Sequence, residues 1–130
     1  MKSPLLYLLS LLVATFSLAG CSTVHTKTPE GKSVEMNKKE FADYLEQVFR
    51  HHNSVVDRLL YSADAPGNRN SSLGKAEASM AFACLPINEV VSASAMGQTT
   101  SYCARMHLTE AVPECEAATR TVEQLISAGQ

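Results

Sequence analysis

Cys103, His107 and Glu110 are spaced so that a thiolate, an imidazole and a carboxylate lie along one side of a helix. Positions i, i+4 and i+7 share a helical face, and this donor set suits Zn²⁺ or copper. The pattern lacks a second cluster of the CxxC or HxxxH kind, so the reading for metal is none, with these three residues as the alternative ligand set. His51 and His52 are adjacent, which turns their rings about 100° apart on a helix and rules out chelation as a helical pair. His52 falls on an apolar stripe and reads as a packed neutral imidazole, with a ligand or pH-sensing role as the alternative. His51 reads as solvated beside Arg50 and Asn53.

The constellations of enzymes do not appear. There is no Gly-x-Ser-x-Gly elbow, no Ser-x-x-Lys and no phosphate-cradling glycine loop. Asp43, Glu46 and Asp57 alternate with Arg50 and Arg58 in the manner of ordinary surface charges. The whole chain carries a formal net charge of −2 and no basic arm, so nucleic acid is not an expected partner. An enzyme is not expected either.

The N-terminus carries the strongest motif. Met1-Lys2-Ser3 is a short basic start, and Leu5 to Gly20 follows without a charge. A basic start, a short apolar run and small residues before a cut are the parts of a secretory signal. The run is shorter than the roughly 20 residues of a spanning helix, which disfavours the alternative of a retained anchor. Leu18-Ala19-Gly20-Cys21 resembles the lipobox of bacterial lipoproteins, a resemblance confined to residues 1–22.

The resemblance implies cleavage before Cys21, a diacylglyceryl thioether on its sulfur and acylation of its amino group. Residues 1–20 are then a discarded signal peptide, and the covalent lipid on Cys21 stands in place of any cofactor. Each buried methylene contributes about 0.8 kcal/mol, so two or three chains make a lasting tether. Ser22 follows the cysteine; in enterobacterial relatives the absence of Asp there implies the periplasmic face of the outer membrane.

Residues 21–36 are polar and contain Pro29 and Gly31, which reads as a flexible tether with His25 solvated in it. Residues 37–130 read as an all-α domain, since Ala, Leu, Val and Glu abound and Trp is missing. Asn37-x-x-Glu40 matches a capping box. Phe41, Leu45, Val48, Val55 and Leu59 then recur at helical spacing to about Ser62. Ala65 to Asn70 is a loop by composition. A second helix, capped by Ser71 or Ser72, carries Leu73, Met80, Cys84, Ile87, Val91 and Ala95. A third carries Leu108, Val112, Cys115, Ala118, Val122 and Leu125. The expected architecture is a small antiparallel three-helix bundle. Pro86 and Pro113 allow breaks that would split it into four segments.

With Cys21 assigned to lipid, three cysteines remain for an oxidising compartment. In a hairpin turning at Thr99 and Thr100, Cys84 lies level with Cys115, and Pro86 with Pro113. Cys84 and Cys103 would be offset by about 18 Å at 1.5 Å per residue, and Cys103–Cys115 needs a sharp reversal at Val112-Pro113. A disulfide closes only when the Cα atoms are within about 7 Å, so Cys84–Cys115 is the expected pair. Cys103 is left over, as a half-buried small apolar residue, an intermolecular disulfide or a metal thiolate.

Phe82 points about 160° from the Cys84 stripe, and Leu85 and Met96 also sit off it. These residues either pack on the first helix or form an exposed patch for a partner or a dimer. The function read from all this is a non-catalytic accessory or interaction lipoprotein of the cell envelope, with membrane contact through its lipid. An envelope protein, in a complex such as a secretion or surface-exclusion system, is the expected partner. The alternative is a metal or small-ligand binding lipoprotein using Cys103, His107 and Glu110, with His52 as a further ligand.

Overall fold

The computed structural model describes residues 23–61, 71–100 and 102–128. A β-hairpin comes first, with β1 at Thr23–Lys27 and β2 at Ser33–Asn37. Three helices follow: α1 at Lys38–Tyr61, α2 at Ser72–Ala95 and α3 at Tyr102–Ala128. The helices pack together as the expected three-helix bundle. The signal and lipobox residues lie outside the described residues.

The helix ends follow from their cap residues. Asn37 Oδ1 accepts from the Glu40 amide at 2.9 Å, and the Asn37 amide donates to Glu40 Oε2 at 2.7 Å. This reciprocal pair satisfies two backbone donors that would otherwise be orphaned. Ser71 caps α2 by accepting from the Gly74 amide at 2.9 Å. Gly97, at φ +69°, closes α2 in the left-handed region that a side chain disfavours. Neither proline breaks its helix: α2 continues through Pro86 and α3 through Pro113. The four-segment variant does not arise.

The flexible tether expected over residues 21–36 is corrected over the hairpin. Thr23↔Asn37, His25↔Glu35 and Lys27↔Ser33 pair in antiparallel register. The Gly31 amide donates to the Thr28 carbonyl and the Thr28 amide to the Lys32 carbonyl, both at 2.8 Å. Pro29 presets the turn, and Gly31 takes the φ of +85° that follows it. The hairpin lies against both α3 and α1, with β1 mainly on α3, and Thr26 is its buried residue.

Docking of the hairpin uses a defect in α3. Pro113 has no N–H, so the carbonyl of Thr109 loses its intrahelical donor. The Thr26 hydroxyl donates to that carbonyl at 2.5 Å. At the turn, Glu30 pairs with Arg120 at 3.0 Å, and Arg120 also holds Glu116 at 2.6 Å. Tyr44 of α1 donates to Glu116 at 2.6 Å. Burial, and then the carboxylate of Glu116, push the Tyr44 phenol above its ordinary range. One chain of polar contacts thus joins hairpin, α3 and α1.

The core contains Val48 and Val55 of α1, Met80 and Ile87 of α2, and Leu108, Val112, Val122 and Ile126 of α3. The cover of α2 is one-sided. Its contact with α3 is the most extensive between elements, while α1 lies mainly on α3 and meets α2 sparsely.

Candidate interaction surface and the buried histidine beside the disulfide

The outer side of α2 carries exposed large hydrophobic side chains. Phe82 is 81 % exposed, Leu85 50 % and Met96 66 %. The alternative that packed these residues on the first helix does not hold, because α1 settles on α3. Lys75, Ala78, Phe82, Leu85, Glu89, Ser92 and Met96 are all exposed. Their spacing alternates three and four residues, the repeat that keeps one seam facing a neighbouring helix. The core residues Leu73, Met80, Cys84, Ile87 and Val91 occupy the opposite side. This helix is therefore apolar on two faces and covered on one. It is also long and apolar enough to cross a membrane, by length and composition.

Cys84 and Cys115 form a disulfide, with Cα atoms 4.6 Å apart. The level pairing read from the hairpin arithmetic is the one observed. Both residues are fully buried, and the Thr119 hydroxyl lies 3.8 Å from the Cys84 sulfur. His52 of α1 completes the cluster: it is 6 % exposed, and its ligand atom and the two sulfurs lie within 4.8 Å of one another. The imidazole is packed as expected, and its Nδ1 is buried without a hydrogen-bond partner. Burial, followed by the neighbouring His51, lowers the His52 pKa. Two thiolates and an imidazole would suit Zn²⁺ or Cu⁺, but the disulfide commits both sulfurs to each other.

The other polar residues divide differently from the sequence reading. His51 is half-buried rather than solvated, and its Nε2 lies 2.9 Å from Glu123 Oε2. Arg58 reaches the other oxygen of Glu123 at 2.7 Å. The His51 hydrogen bond is the leading cause that holds the Glu123 carboxyl below its ordinary range. His25 is a cross-strand partner of Glu35, Nδ1 to Oε1 3.2 Å, and not a free tether residue. His25, Glu35, Thr109 and Glu110 line an open groove of about 360 Å³ beneath the hairpin.

Of the alternative metal set, His107 and Glu110 are exposed on α3, and the Cys103 side chain lies outside the described residues. Among the described residues, the group of three that could hold a metal is His52, Cys84 and Cys115. Sequence spacing offers His52 only as a further ligand beside Cys103 and does not group it with these cysteines. Its place on the stripe of Val48 and Val55 was the available signal. No family model, curated protein or solved structure matches the chain.

Proposed function

We propose that this protein is a lipid-anchored, non-catalytic interaction component of a bacterial cell envelope. Cys21 carries the lipid, and the helical domain works at the periplasmic face of the outer membrane. The observation that carries this reading is the exposed apolar side of α2, where Phe82, Leu85 and Met96 face away from the core. Exposed large apolar side chains on one helix face mark contact with a partner. The Cys84–Cys115 bridge supports an oxidising compartment, and the lipobox-like Leu18-Ala19-Gly20-Cys21 supports the anchor.

Two measurements on cells test the reading. Radiolabelled palmitate is expected in the wild-type protein and not in Cys21→Ser, with the label in the outer-membrane fraction. A photo-cross-linking residue at position 82 is expected to give discrete protein adducts, and one at exposed Glu114 none. Unlabelled protein recovered entirely in the soluble periplasm would remove the anchor. A position 82 as silent as position 114 would remove the interaction surface.

A further inference from the structure

We infer that the outer seam of α2 pairs with the same seam of a second copy, antiparallel, about a twofold axis between Phe82 and Leu85. The inference rests on the reading of this face as an interaction surface and adds its partner.

The charges decide the orientation. Lys75 stands near the start of the seam and Glu89 toward its end, with apolar or small residues between them. Two parallel copies would set Lys75 against Lys75 and Glu89 against Glu89. An antiparallel pair centred between Phe82 and Leu85 brings Lys75 within one helical turn of Glu89 of the second copy. The symmetry repeats that contact on the other side.

The side-chain sizes fit the same register. At the axis, Phe82 of each copy lies level with Leu85 of the other, so the two most bulky central residues form adjacent layers. The next layers set Ala78 level with Glu89, and Lys75 with Ser92. Small residues there leave room for the charged stems to lie along the seam. The alternation of three- and four-residue steps from Lys75 to Met96 keeps these positions facing the neighbour for about 30 Å at 1.5 Å per residue. The exposed Ser79 and Ala81 flank the seam on either side and widen the contact.

A lipid bilayer is the other apolar environment for such a helix, and the seam's own charges oppose it. Lys75 and Glu89 lie in line with Phe82 and Leu85, so immersing the apolar residues immerses both charges. The opposite side of α2 is tied to α3 by the Cys84–Cys115 bridge. A helix joined covalently to a polar-surfaced bundle does not leave it to span a membrane.

The test is the mass of the full-length protein in mild non-ionic detergent, by sedimentation equilibrium over a range of concentrations. The wild type is expected to dimerise and Phe82→Glu to be a monomer with its disulfide intact. Lys75→Glu and Glu89→Lys should each raise the dissociation constant about tenfold, because each change turns two attractive contacts repulsive. The double variant K75E/E89K should recover the wild-type constant, since the swapped charges meet again only in an antiparallel pair of identical chains. A wild type that stays monomeric at 100 µM, or a double variant that is no better than the single ones, overturns the pairing. If position 82 then cross-links to a different protein in cells, self-pairing is lost while the interaction reading stands. If it cross-links to nothing, both are lost. A third overturning result is Phe82→Glu abolishing binding of the C21S chain to phosphatidylglycerol vesicles without altering its mass.

Discussion

The hydroxyl of Thr26 donates to the carbonyl of Thr109, the group that Pro113, four residues further along α3, deprives of its helical donor. A defect in one element is thus the docking point of another. With the hairpin docked but no hydroxyl at position 26, that part-buried carbonyl would be left without a donor, at a cost of about 1–3 kcal/mol. The hairpin in turn gains an anchor for its buried residue, although two strands alone are only marginally stable in water.

Thr26→Val keeps the shape of the side chain and removes its donor. It is expected to cost about 1–3 kcal/mol, read as a lower midpoint in urea and faster amide exchange across both strands. Pro113→Ala returns an N–H to position 113 and so supplies the Thr109 carbonyl from within α3. Thr26→Val should therefore cost less than half as much in a Pro113→Ala background. Equal costs in the two backgrounds would show that the proline and the hydroxyl are unrelated.

The disulfide closes a loop over a separation of 31 residues, which corresponds to roughly 3–4 kcal/mol on the chain-entropy account. That is a large fraction of the 5–15 kcal/mol usual for a domain. Replacing both cysteines with Ala should lower stability by at least that amount, since it also leaves two small cavities beside Thr119 and His52. Both sulfurs are buried, so reductant alone should act slowly on the folded protein and quickly once urea opens it. Rapid native-state reduction, followed by mass-tagging of the thiols, would contradict this packing.

Much of this architecture follows from local rules that a sequence displays. Asn37 and Glu40 announce the start of α1, Ser71 that of α2, and the three-and-four spacing marks each buried face. The disulfide is legible because a tight reversal at Thr99-Thr100 makes residue level a matter of counting. The hairpin is not legible in the same way. Its strands are five residues each, rich in Thr, Lys and Glu, and its anchor is a carbonyl 83 residues distant. The Pro29 to Gly31 turn between β-branched residues is the signal for it, whereas polar composition alone points to a tether.

The exposed side of α2 was half legible for a related reason. Periodicity shows which residues share a face, but not how many neighbouring helices cover it. Phe82 stands in water because α1 chose α3 as its support. His52 differs again: its stripe marks it as buried, but the orphaning of its Nδ1 depends on the particular atoms that α2 and α3 place around it. His51, one residue on, meets Glu123 only because α3 runs alongside.

The buried His52 should make stability depend on pH. Its folded pKa lies below the value of about 6.5 that it has when unfolded. The unfolded chain therefore binds the extra proton more readily, and stability rises with pH across the interval between the two values. The contribution is complete above about 6.5 and is lost as the pH falls through the folded value. His52→Leu removes both the titration and the orphaned Nδ1, so it should flatten the midpoint-against-pH curve below 6.5 without large loss at pH 7.5. Glu123 acts lower: with its pKa depressed, its contribution is present above the ordinary carboxylate value and disappears on further acidification. An H52L curve parallel to that of the wild type between pH 5 and 7 would assign the acid sensitivity elsewhere.

Phe82 and Ile87 lie on the same helix and give opposite expectations when each is cut to Ala. Ile87 is buried in the core at 1 % exposure, so Ile87→Ala removes packed methylenes and leaves a cavity, at about 2–5 kcal/mol. Phe82 projects from the far side, and its loss exposes nothing new within one chain. Phe82→Ala should move the monomer's unfolding midpoint by no more than about 0.5 kcal/mol, measured at dilution where no association occurs. At higher concentration the wild type should gain stability from self-association that the variant lacks, because ligation of the native state alone raises the midpoint. A concentration-dependent difference between the two proteins, vanishing on dilution, separates an interaction surface from a misjudged piece of core. A steep and concentration-independent loss in Phe82→Ala would place the ring inside the fold instead.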